Sequence, residues 1–458
     1  MDPTNKPSLP EESGQLEERP TRVRWFVLAI VAFAASSAYL TRHCISAANT
    51  TIAKELDLTD TQMGTVMSAF ALGYMLFQVP TGWLGNRFGT RFAFALSSIV
   101  WSLCNIWSSV AAGLGMLTVS RFGLGIFQAG LAPISAKILR DWMPLRSFGM
   151  SSAAIGASMS VGGAFTMWLT GWLLDPAGNN LDWRTIFFAY SFVGIIWAVG
   201  FAWFFRTRPE DHPQVNQAEL NQIRDLPEKV DPSADGAEGD PPRALSAKTP
   251  RALSAKTLLR SLSMWGLCLQ SFCRSAGYSF FVTWFFAFLE YVYGIDKATA
   301  GFYNSLPLIA VVTGSLAGGV IVDGLFRVTG SKIMSRSGTA FVALTVCGTL
   351  TMVSAWTSEA WQLSAVIAVG ALFAGIGNPA AWAATLDLGG RHVAVVMGVM
   401  NMTGCLAGVV LPVLLGNWFE EIKQSGGDWD SVIYLHAGFY FCGALCWLVI
   451  KPNRSLDE

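Results

Sequence analysis

The sequence predicts an all-α polytopic membrane protein with twelve transmembrane helices in two six-helix halves. Of its 458 residues 52% are hydrophobic and only 14% are charged, and the mean hydropathy is +0.43. A soluble domain carries about a quarter charged residues, so this composition is typical of a chain embedded in lipid. Apolar stretches long enough to cross a bilayer recur along nearly the whole chain, and one long hydrophilic break divides them six and six.

Each apolar stretch is predicted to form one spanning helix, and several exceed the length of a perpendicular crossing, which indicates tilt. The predicted spans are approximately 25–51, 62–81, 92–111, 114–138, 148–174, 185–205, 261–290, 299–325, 337–356, 361–384, 393–418 and 432–450. We therefore expect the chain to divide into an N-terminal tail (1–24), an N-terminal half (25–206), a linker (207–260), a C-terminal half (261–451) and a C-terminal tail (452–458).

Basic residues accumulate in the loops on one side of the predicted bundle. That side holds Arg22, Arg24, Arg87, Arg91, Arg140, Arg146, Arg206, Arg208, Lys256, Arg260, Arg327, Lys332, Arg336, Arg391, Lys451 and Arg454, whereas the other holds Lys54, Arg184, Lys297 and Lys423. By the positive-inside rule both termini are expected in the cytoplasm. The expected location is the plasma or inner membrane of a cell. The polar N-terminus has no pattern of a cleavable signal peptide.

The hydrophilic break at 207–260 contains the octapeptide PRALSAKT twice in tandem, at 242–249 and 250–257. We interpret this repeat as a duplication within a linker. Six helices on each side of such a linker are typical of transporters built from repeated halves, which move about a binding site near the bilayer midplane.

The composition and the motifs argue against an enzyme. The formal net charge is zero, which gives no reason to expect a nucleic-acid partner. The four His residues are scattered, the eight Cys residues lie in apolar runs, and no nucleophile elbow, phosphate-binding loop or metal-ligand pair is present. We expect no cofactor and no metal site, and a monomer as the working unit.

Arg274 is the one charged residue between Arg260 and Glu290. At about 1.5 Å per helical residue it lies roughly 21 Å beyond Arg260, which is near the middle of a bilayer core about 30 Å thick. A guanidinium at that depth normally faces a protein-lined cavity and an anionic partner. A buried structural pair with a carboxylate is the alternative.

Two loops carry a family motif. The loop between the second and third spans reads Gly82-Trp-Leu-Gly85-Asn86-Arg87-Phe-Gly89-Thr-Arg91, and the equivalent place in the second half reads Gly319-Val-Ile-Val-Asp323-Gly-Leu-Phe-Arg327. They resemble the signature cytoplasmic loop of the major facilitator superfamily, whose glycines permit a sharp turn and whose charges form a conformational latch. The resemblance implies the major facilitator fold and assigns the latch to Gly82, Gly85, Asn86, Arg87, Gly89, Arg91, Asp323 and Arg327. Asn86 stands where the family has Asp, so this loop lacks one charge.

Within that superfamily the chain resembles the anion:cation symporter branch, which includes bacterial sugar-acid transporters, sialin and vesicular glutamate transporters. The matching segments are Tyr39-Leu-Thr-Arg42, Gln62 to Tyr74, Arg121 to Gly130, Phe272-Cys-Arg274-Ser, Asn378-Pro and Met400-Asn401-Met. The resemblance implies an organic-anion substrate, such as a sugar acid or another small carboxylate.

Three arginines are the main candidates for binding that anion. If Arg42, Arg121 and Arg274 all face one cavity, three guanidiniums favour a carboxylate, sulfonate or phosphate ligand. An interfacial position remains open for Arg42, and a structural pair for Arg121. Further candidate lining residues, each of which could equally be packing, are Tyr39, Tyr74, Gln78, Trp284, Asn304, Asn378, Trp382 and Asn401.

The candidate coupling residues depart from the family. In this branch a proton is thought to bind an Asp beside the first-span Arg and a Glu in the fourth span, and here those places hold Thr41 and Gln128. Neither side chain titrates, so proton symport through carboxylates is expected to be absent or rewired. His43 can titrate near neutral pH and is the remaining candidate, with a structural hydrogen bond as the alternative.

The sequence thus predicts a secondary transporter of an organic anion that works by alternating access. An anion exchanger or uniporter stays open, as does a membrane sensor that retained the cavity without moving its ligand.

Overall fold

The computed structural model describes residues 19–144, 147–224, 260–389 and 393–453. The tandem octapeptide, most of the predicted linker and the outer parts of both predicted tails lie outside the described residues. The side chain of Asn86 lies outside them as well.

The first half of the chain folds into eight helices, of which two pairs are single spans interrupted by a break. They are α1 (Val23–Ala47), α2 (Asn49–Glu55), α3 (Asp60–Phe88), α4 (Thr90–Ser109), α5 (Leu114–Gln128), α6 (Leu131–Trp142), α7 (Phe148–Leu174) and α8 (Trp183–Phe204). A short helix, α9 (Gln217–Ile223), follows.

The second half repeats this plan. Its helices are α10 (Leu262–Thr283), α11 (Phe285–Tyr293), α12 (Lys297–Thr329), α13 (Thr339–Ser354), α14 (Ala360–Gly389), α15 (Val393–Ser425) and α16 (Asp430–Cys446). A π-helical turn, Ile333–Gly338, leads into α13. We call the end of the bundle where α1 begins the terminal side, and the end where α1 finishes and α3 begins the opposite side.

Twelve spans result. Nine helical stretches of the described residues are long and apolar enough to cross a membrane. Helix α7, the pair α10 and α11, and helix α16 complete the six-plus-six arrangement, so the predicted fold class is confirmed. The observed helices run longer than the apolar stretches predict: α12 and α15 each have 33 residues, where a perpendicular crossing needs about 20.

Local chemistry sets the helix ends. The Thr59 side chain accepts from the backbone N–H of Gln62, and the Gln62 side chain accepts from that of Thr59, which forms a capping box at the start of α3. Asp296 caps α12 in the same way by accepting from Thr299 N–H at 2.8 Å. Gly330 ends α12 in the left-handed region, with φ +64°.

Part of the segment that the sequence assigns to the linker packs on the N-terminal half. The carboxylate of Glu219 in α9 is buried, and it accepts hydrogen bonds from Thr21 Oγ1 and from the backbone N–H groups of Val23 (3.2 Å) and Arg24 (3.1 Å). These N–H groups are free donors of the first turn of α1, so α9 caps the first helix from outside it.

The two halves approach closely on the opposite side. A Cβ on Gly64 of α3 would lie 2.3 Å from the carbonyl oxygen of Pro412 in α15, and a Cβ on Gly171 of α7 would lie 2.4 Å from that of Lys297 in α12. Both contacts require glycine, because any side chain would force the backbones apart.

Candidate anion-binding cavity

A cavity of about 250 Å³ lies between the two halves. Helices α1, α3 and α5 form its N-terminal wall, and α10 and α15 form its C-terminal wall. The N-terminal wall contains Tyr39, Arg42, His43, Phe70, Tyr74 and Arg121, and the C-terminal wall contains Ser275, Tyr278, Ser279, Thr283 and Cys405.

Aromatic rings surround the guanidinium of Arg42. Its Cζ lies 4.4 Å from the ring centroid of Tyr39 and 4.8 Å from those of Phe70 and Tyr74. Its Nε donates to Gln128 Oε1 at 3.2 Å, while its Nη2 is buried without a hydrogen-bond partner. The rings hold the charged plane by cation–π contact and restrict its motion, so the guanidinium is preorganised.

Arg121 holds helix α1 and adds charge to the same wall. It is 1% exposed, and it donates from Nη1 to the carbonyl of Thr41 at 2.9 Å and from Nη2 to that of Arg42 at 2.6 Å. Its Nε has no partner. Arg121 therefore fixes the backbone that carries Arg42.

Neither guanidinium is neutralised by an acid in the described part of the chain, where every ion pair lies elsewhere. Two buried positive charges without a carboxylate are costly in isolation. An incoming anion would relieve that cost, so the arrangement favours an anionic ligand.

Arg274 does not line the cavity with them, which corrects the expectation of three guanidiniums on one cavity. Its Nη1 donates to Asn378 Oδ1 at 2.5 Å, and Asn378 Nδ2 donates to Ser315 Oγ at 3.2 Å. Ser275 and Tyr278 of the same helix line the cavity, and Arg274 lies at the flank of that face, where its contact with Asn378 of α14 holds the guanidinium.

The two non-titrating replacements form one network. Gln128 is fully buried, and its Nε2 donates to Thr41 Oγ1 at 2.9 Å and to the carbonyl of Ala38 at 3.0 Å. Thr41 Oγ1 in turn donates to the Ala38 carbonyl at 3.0 Å. With Arg42 on the Gln128 oxygen, every polar atom of the Gln128 amide is occupied.

His43 lines the cavity beside this network. It is 6% exposed, its ring centroid lies 5.2 Å from that of Tyr39, and its ring interacts with the backbone of Val282 in the other half. His43 therefore bridges the two halves at the level of the cavity.

Six further residues proposed as lining lie outside it. Gln78 and Asn401 bind each other across the halves at 3.2 Å, one helical turn beyond Tyr74 and Cys405 on the terminal side. Asn378 holds Arg274, as described above. The other three are placed as follows. Trp284 is buried, and its indole N–H donates to the Pro412 carbonyl at 3.1 Å. Asn304 is buried with neither amide atom hydrogen-bonded, and Trp382 is 56% exposed.

Sequence reasoning missed Phe70, Tyr278, Ser275, Ser279 and Cys405, all of which line the cavity. A signal was available for several of them. Phe70 is one turn from Tyr74, and the serines at 275 and 279 form a polar stripe at helical spacing.

The residues assigned to the latch are on the terminal side. A Cβ on Gly82 would meet Pro133 at 3.3 Å and one on Gly85 would meet Ile134 at 3.1 Å, so both glycines allow α3 to pack on α6. Gly89 takes φ +84°, and the Arg91 guanidinium donates to the Ala202 carbonyl. Arg87, Asp323 and Arg327 are exposed.

A residue that the motif did not include carries the observed ion pairs on this side of the second half. Asp387 accepts from Lys332 Nζ at 2.8 Å and from Arg336 Nε at 3.2 Å. The two bonds tie α14 to the segment that leads into α13.

Two polar clusters join the halves on the opposite side. Asp60 of the N-terminal half pairs with Lys423 at 2.5 Å and accepts from the Tyr291 hydroxyl at 3.1 Å. In the second cluster Lys297 donates to Thr51 Oγ1 at 2.6 Å and pairs with Glu290 at 3.5 Å, and Thr50 Oγ1 donates to that carboxylate at 2.7 Å. Charged contacts therefore hold the two halves together on the opposite side of the cavity.

Solved structures show the same fold. A bacterial homologue of the human lysosomal transporter Spinster, in an inward-facing and occupied conformation, superposes with a TM-score of 0.69 at 17% identity, over 94% of this chain and 95% of that one. The inward-facing, unoccupied form of that homologue gives the same TM-score at 19% identity.

Relatives in sequence span nearly the full length. A probable sulfoacetate transporter of Cupriavidus necator is 29% identical over 95% of this chain and 96% of its own. A probable galactarate/D-glucarate transporter of Escherichia coli K12 is 27% identical over 98% of both chains, and a D-galactonate transporter of E. coli O6:H1 is 27% identical over 94% and 96%. The family model of the Major Facilitator Superfamily matches residues 31–412. With twelve spans in two halves and a cavity between them, the chain belongs to the Major Facilitator Superfamily.

Proposed function

We propose that this protein is a secondary transporter of a small organic anion that works by alternating access. The observation that carries the proposal is the pair of guanidiniums, Arg42 and Arg121, that face a cavity between the halves without an acidic partner among the described residues. The names of the relatives, which concern sulfoacetate, sugar diacids and galactonate, support this substrate class.

The contacts between the halves support alternating access. Charged clusters around Asp60 and Glu290 hold the opposite side closed, whereas the Gln78–Asn401 hydrogen bond stands on the terminal side of the cavity. Opening towards the opposite side requires that both clusters break while the terminal side closes. The excess of basic residues on the terminal side supports a cytoplasmic location of both termini and a plasma or inner membrane. A monomer contains both walls of the cavity.

The Thr41–Gln128 network supports transport that does not depend on cavity carboxylates. A neutral amide and a neutral hydroxyl occupy the places where the resemblance expects proton carriers, so we propose uniport or anion exchange. His43 is the titratable imidazole at the cavity, and proton coupling through it is the competing mechanism.

Purified protein reconstituted in vesicles tests these proposals. Radiolabelled sulfoacetate and galactonate should enter vesicles that contain the protein, and preloading with unlabelled anion should accelerate entry if exchange operates. Saturable binding in detergent with no flux in vesicles would favour a sensor. Accumulation driven by an imposed pH gradient, and lost in His43→Gln, would assign coupling to the imidazole.

A further inference from the structure

We infer that the cavity selects anions whose negative charge lies at one end, and that it discriminates against acids with a carboxylate at both ends of the molecule. This inference rests on the proposed function and specifies its substrate class. It comes from the unequal charge of the two cavity walls.

The N-terminal wall carries both positive charges. Arg42 and Arg121 come from α1 and α5, and the Cζ atoms of both lie near the Phe70 ring, at 4.8 Å and 5.5 Å from its centroid. An anionic group that reaches this wall lies in the electrostatic field of both guanidiniums, with Arg42 as the one available for direct contact. Sulfoacetate also has its negative charge at one end, because its sulfonate and its carboxylate are on the same carbon.

The C-terminal wall is neutral. Its polar side chains are Ser275, Tyr278, Ser279, Thr283 and the thiol of Cys405, and the remaining positions are Val282, Gly404 and Gly408. Hydroxyl groups can donate to and accept from a ligand hydroxyl. They supply no positive charge to a second carboxylate.

Arg274, the charged residue of the helix that forms much of this wall, does not line the cavity. Arg274 is bound to Asn378, which is bound to Ser315, whose Oγ donates to the carbonyl of Gly375 at 3.2 Å. This chain ends on the backbone of α14. Arg274 thus has a fixed, neutral partner in α14 and is not among the residues that line the cavity.

A negative charge at the end of a ligand that meets the C-terminal wall therefore has no positive side chain to pair with. A far-end carboxylate would lose its water against neutral hydroxyls and small residues, which disfavours the bound state. A far-end hydroxymethyl group loses little, because the serines replace its hydrogen bonds.

Galactonate and galactarate form a matched pair for the test. Both are six-carbon sugar acids, and they differ in that one end of galactarate is a carboxylate where galactonate has a hydroxymethyl group. Competition against labelled sulfoacetate in the vesicles described above should give a Ki for galactarate at least about tenfold above that for galactonate. Equal inhibition, or stronger inhibition by galactarate, would overturn the inference and leave the proposed function standing. If sulfoacetate, galactonate and galactarate all fail to bind or move, the proposed function fails instead.

A charge added to the neutral wall gives an independent test. Ser275→Lys should lower the Ki of galactarate relative to that of galactonate by about tenfold or more, since it supplies the missing cation. Ser275→Met adds a neutral side chain of similar length and should leave the ratio as in the wild type. If galactarate gains equally in both variants, space rather than charge sets the preference and the inference is wrong.

Discussion

Gln128 Nε2 lies 2.9 Å from Thr41 Oγ1, and the other end of the same amide accepts from Arg42 Nε at 3.2 Å. One uncharged side chain thus connects the two positions at which the symporter branch is expected to carry protons. It also orients the guanidinium that we assign to the substrate. A carboxylate in place of this amide would neutralise Arg42 directly, and the amide leaves its charge available for the anion.

Carboxylates restored at both positions should make transport depend on pH. In Thr41→Asp with Gln128→Glu, two acids would face Arg42 and compete with the substrate until they are protonated. We expect uptake by this variant to increase as external pH falls, whereas wild-type uptake should show no such gain. Uptake into vesicles at a series of external pH values measures the effect, and Thr41→Asn with wild-type Gln128 is the matched neutral control. A wild-type rate that rises equally at low pH would contradict the prediction.

Substitution of Arg42 by Lys should weaken substrate binding although it keeps the charge. Lys cannot present the planar fork that the rings of Tyr39, Phe70 and Tyr74 hold in place. Loss of a charge-assisted hydrogen bond costs about 1.5–3 kcal/mol, so Kd should rise by about tenfold to a hundredfold. Equilibrium binding of sulfoacetate in detergent measures it, and size-exclusion chromatography checks that the variant is folded. Lys137→Arg, on the partly exposed surface of α6, is the control for a change of cation type. Unchanged affinity in Arg42→Lys would remove Arg42 from the binding site.

Asp60→Asn should weaken the contact between the two halves on the opposite side. Asp60 is 5% exposed and pairs with the more exposed Lys423, so the loss of this contact should shift the conformational equilibrium by about 1–2 kcal/mol, or about five- to thirtyfold. Hydrogen exchange of backbone amides in 297–304 and 411–420 should then become faster. Asp57→Asn, on an exposed residue of the preceding loop, should leave these amides unchanged. Protection equal to that of the wild type in Asp60→Asn would show that this ion pair does not hold the halves together.

Most of the architecture could be predicted because each membrane span is a long run of apolar residues that hydropathy detects. Apolar length and one hydrophilic break are enough to give twelve helices in two halves. The ends of the helices could not be predicted as well, because α3 and α12 continue through polar residues beyond the apolar core. Hydropathy does not record that continuation, and it does not record the first residue of either helix, which capping at Thr59 and Asp296 sets locally.

The site was predictable on one wall and not on the other. Tyr39 and Arg42 are three residues apart, so a helical face brings them together wherever the helix lies, and both line the cavity with Arg121. For Arg274 the charge indicated burial in protein, but not on which side of α10 the cavity would form. That depends on how α10 is rotated against α14, where Asn378 supplies a neutral acceptor that competes for the guanidinium. Gln78 and Asn401 were likewise placed near the cavity by sequence, while their bond to each other depends on the packing of α3 against α15.

Gly64→Ala should disfavour the closed opposite side by steric means. The added Cβ would lie 2.3 Å from the Pro412 carbonyl oxygen, a backbone atom that cannot turn aside, so α3 and α15 would have to separate. We expect the distance between spin labels at Asp57 and Glu421, both exposed on the opposite side, to lengthen in Gly64→Ala, with the native cysteines that react replaced by serine. Gly156→Ala is the matched control, because a Cβ at that helical glycine meets nothing within 4 Å, and it should keep the wild-type distance distribution. Transport should be slower in Gly64→Ala if the return through the state with a closed opposite side limits the cycle. Anion binding at Arg42 should persist, because the cavity lies deeper in the bundle than this contact. A distance distribution identical to that of the control would mean that α3 accommodates the methyl group without moving, and that the glycine contact does not set the conformation of the opposite side.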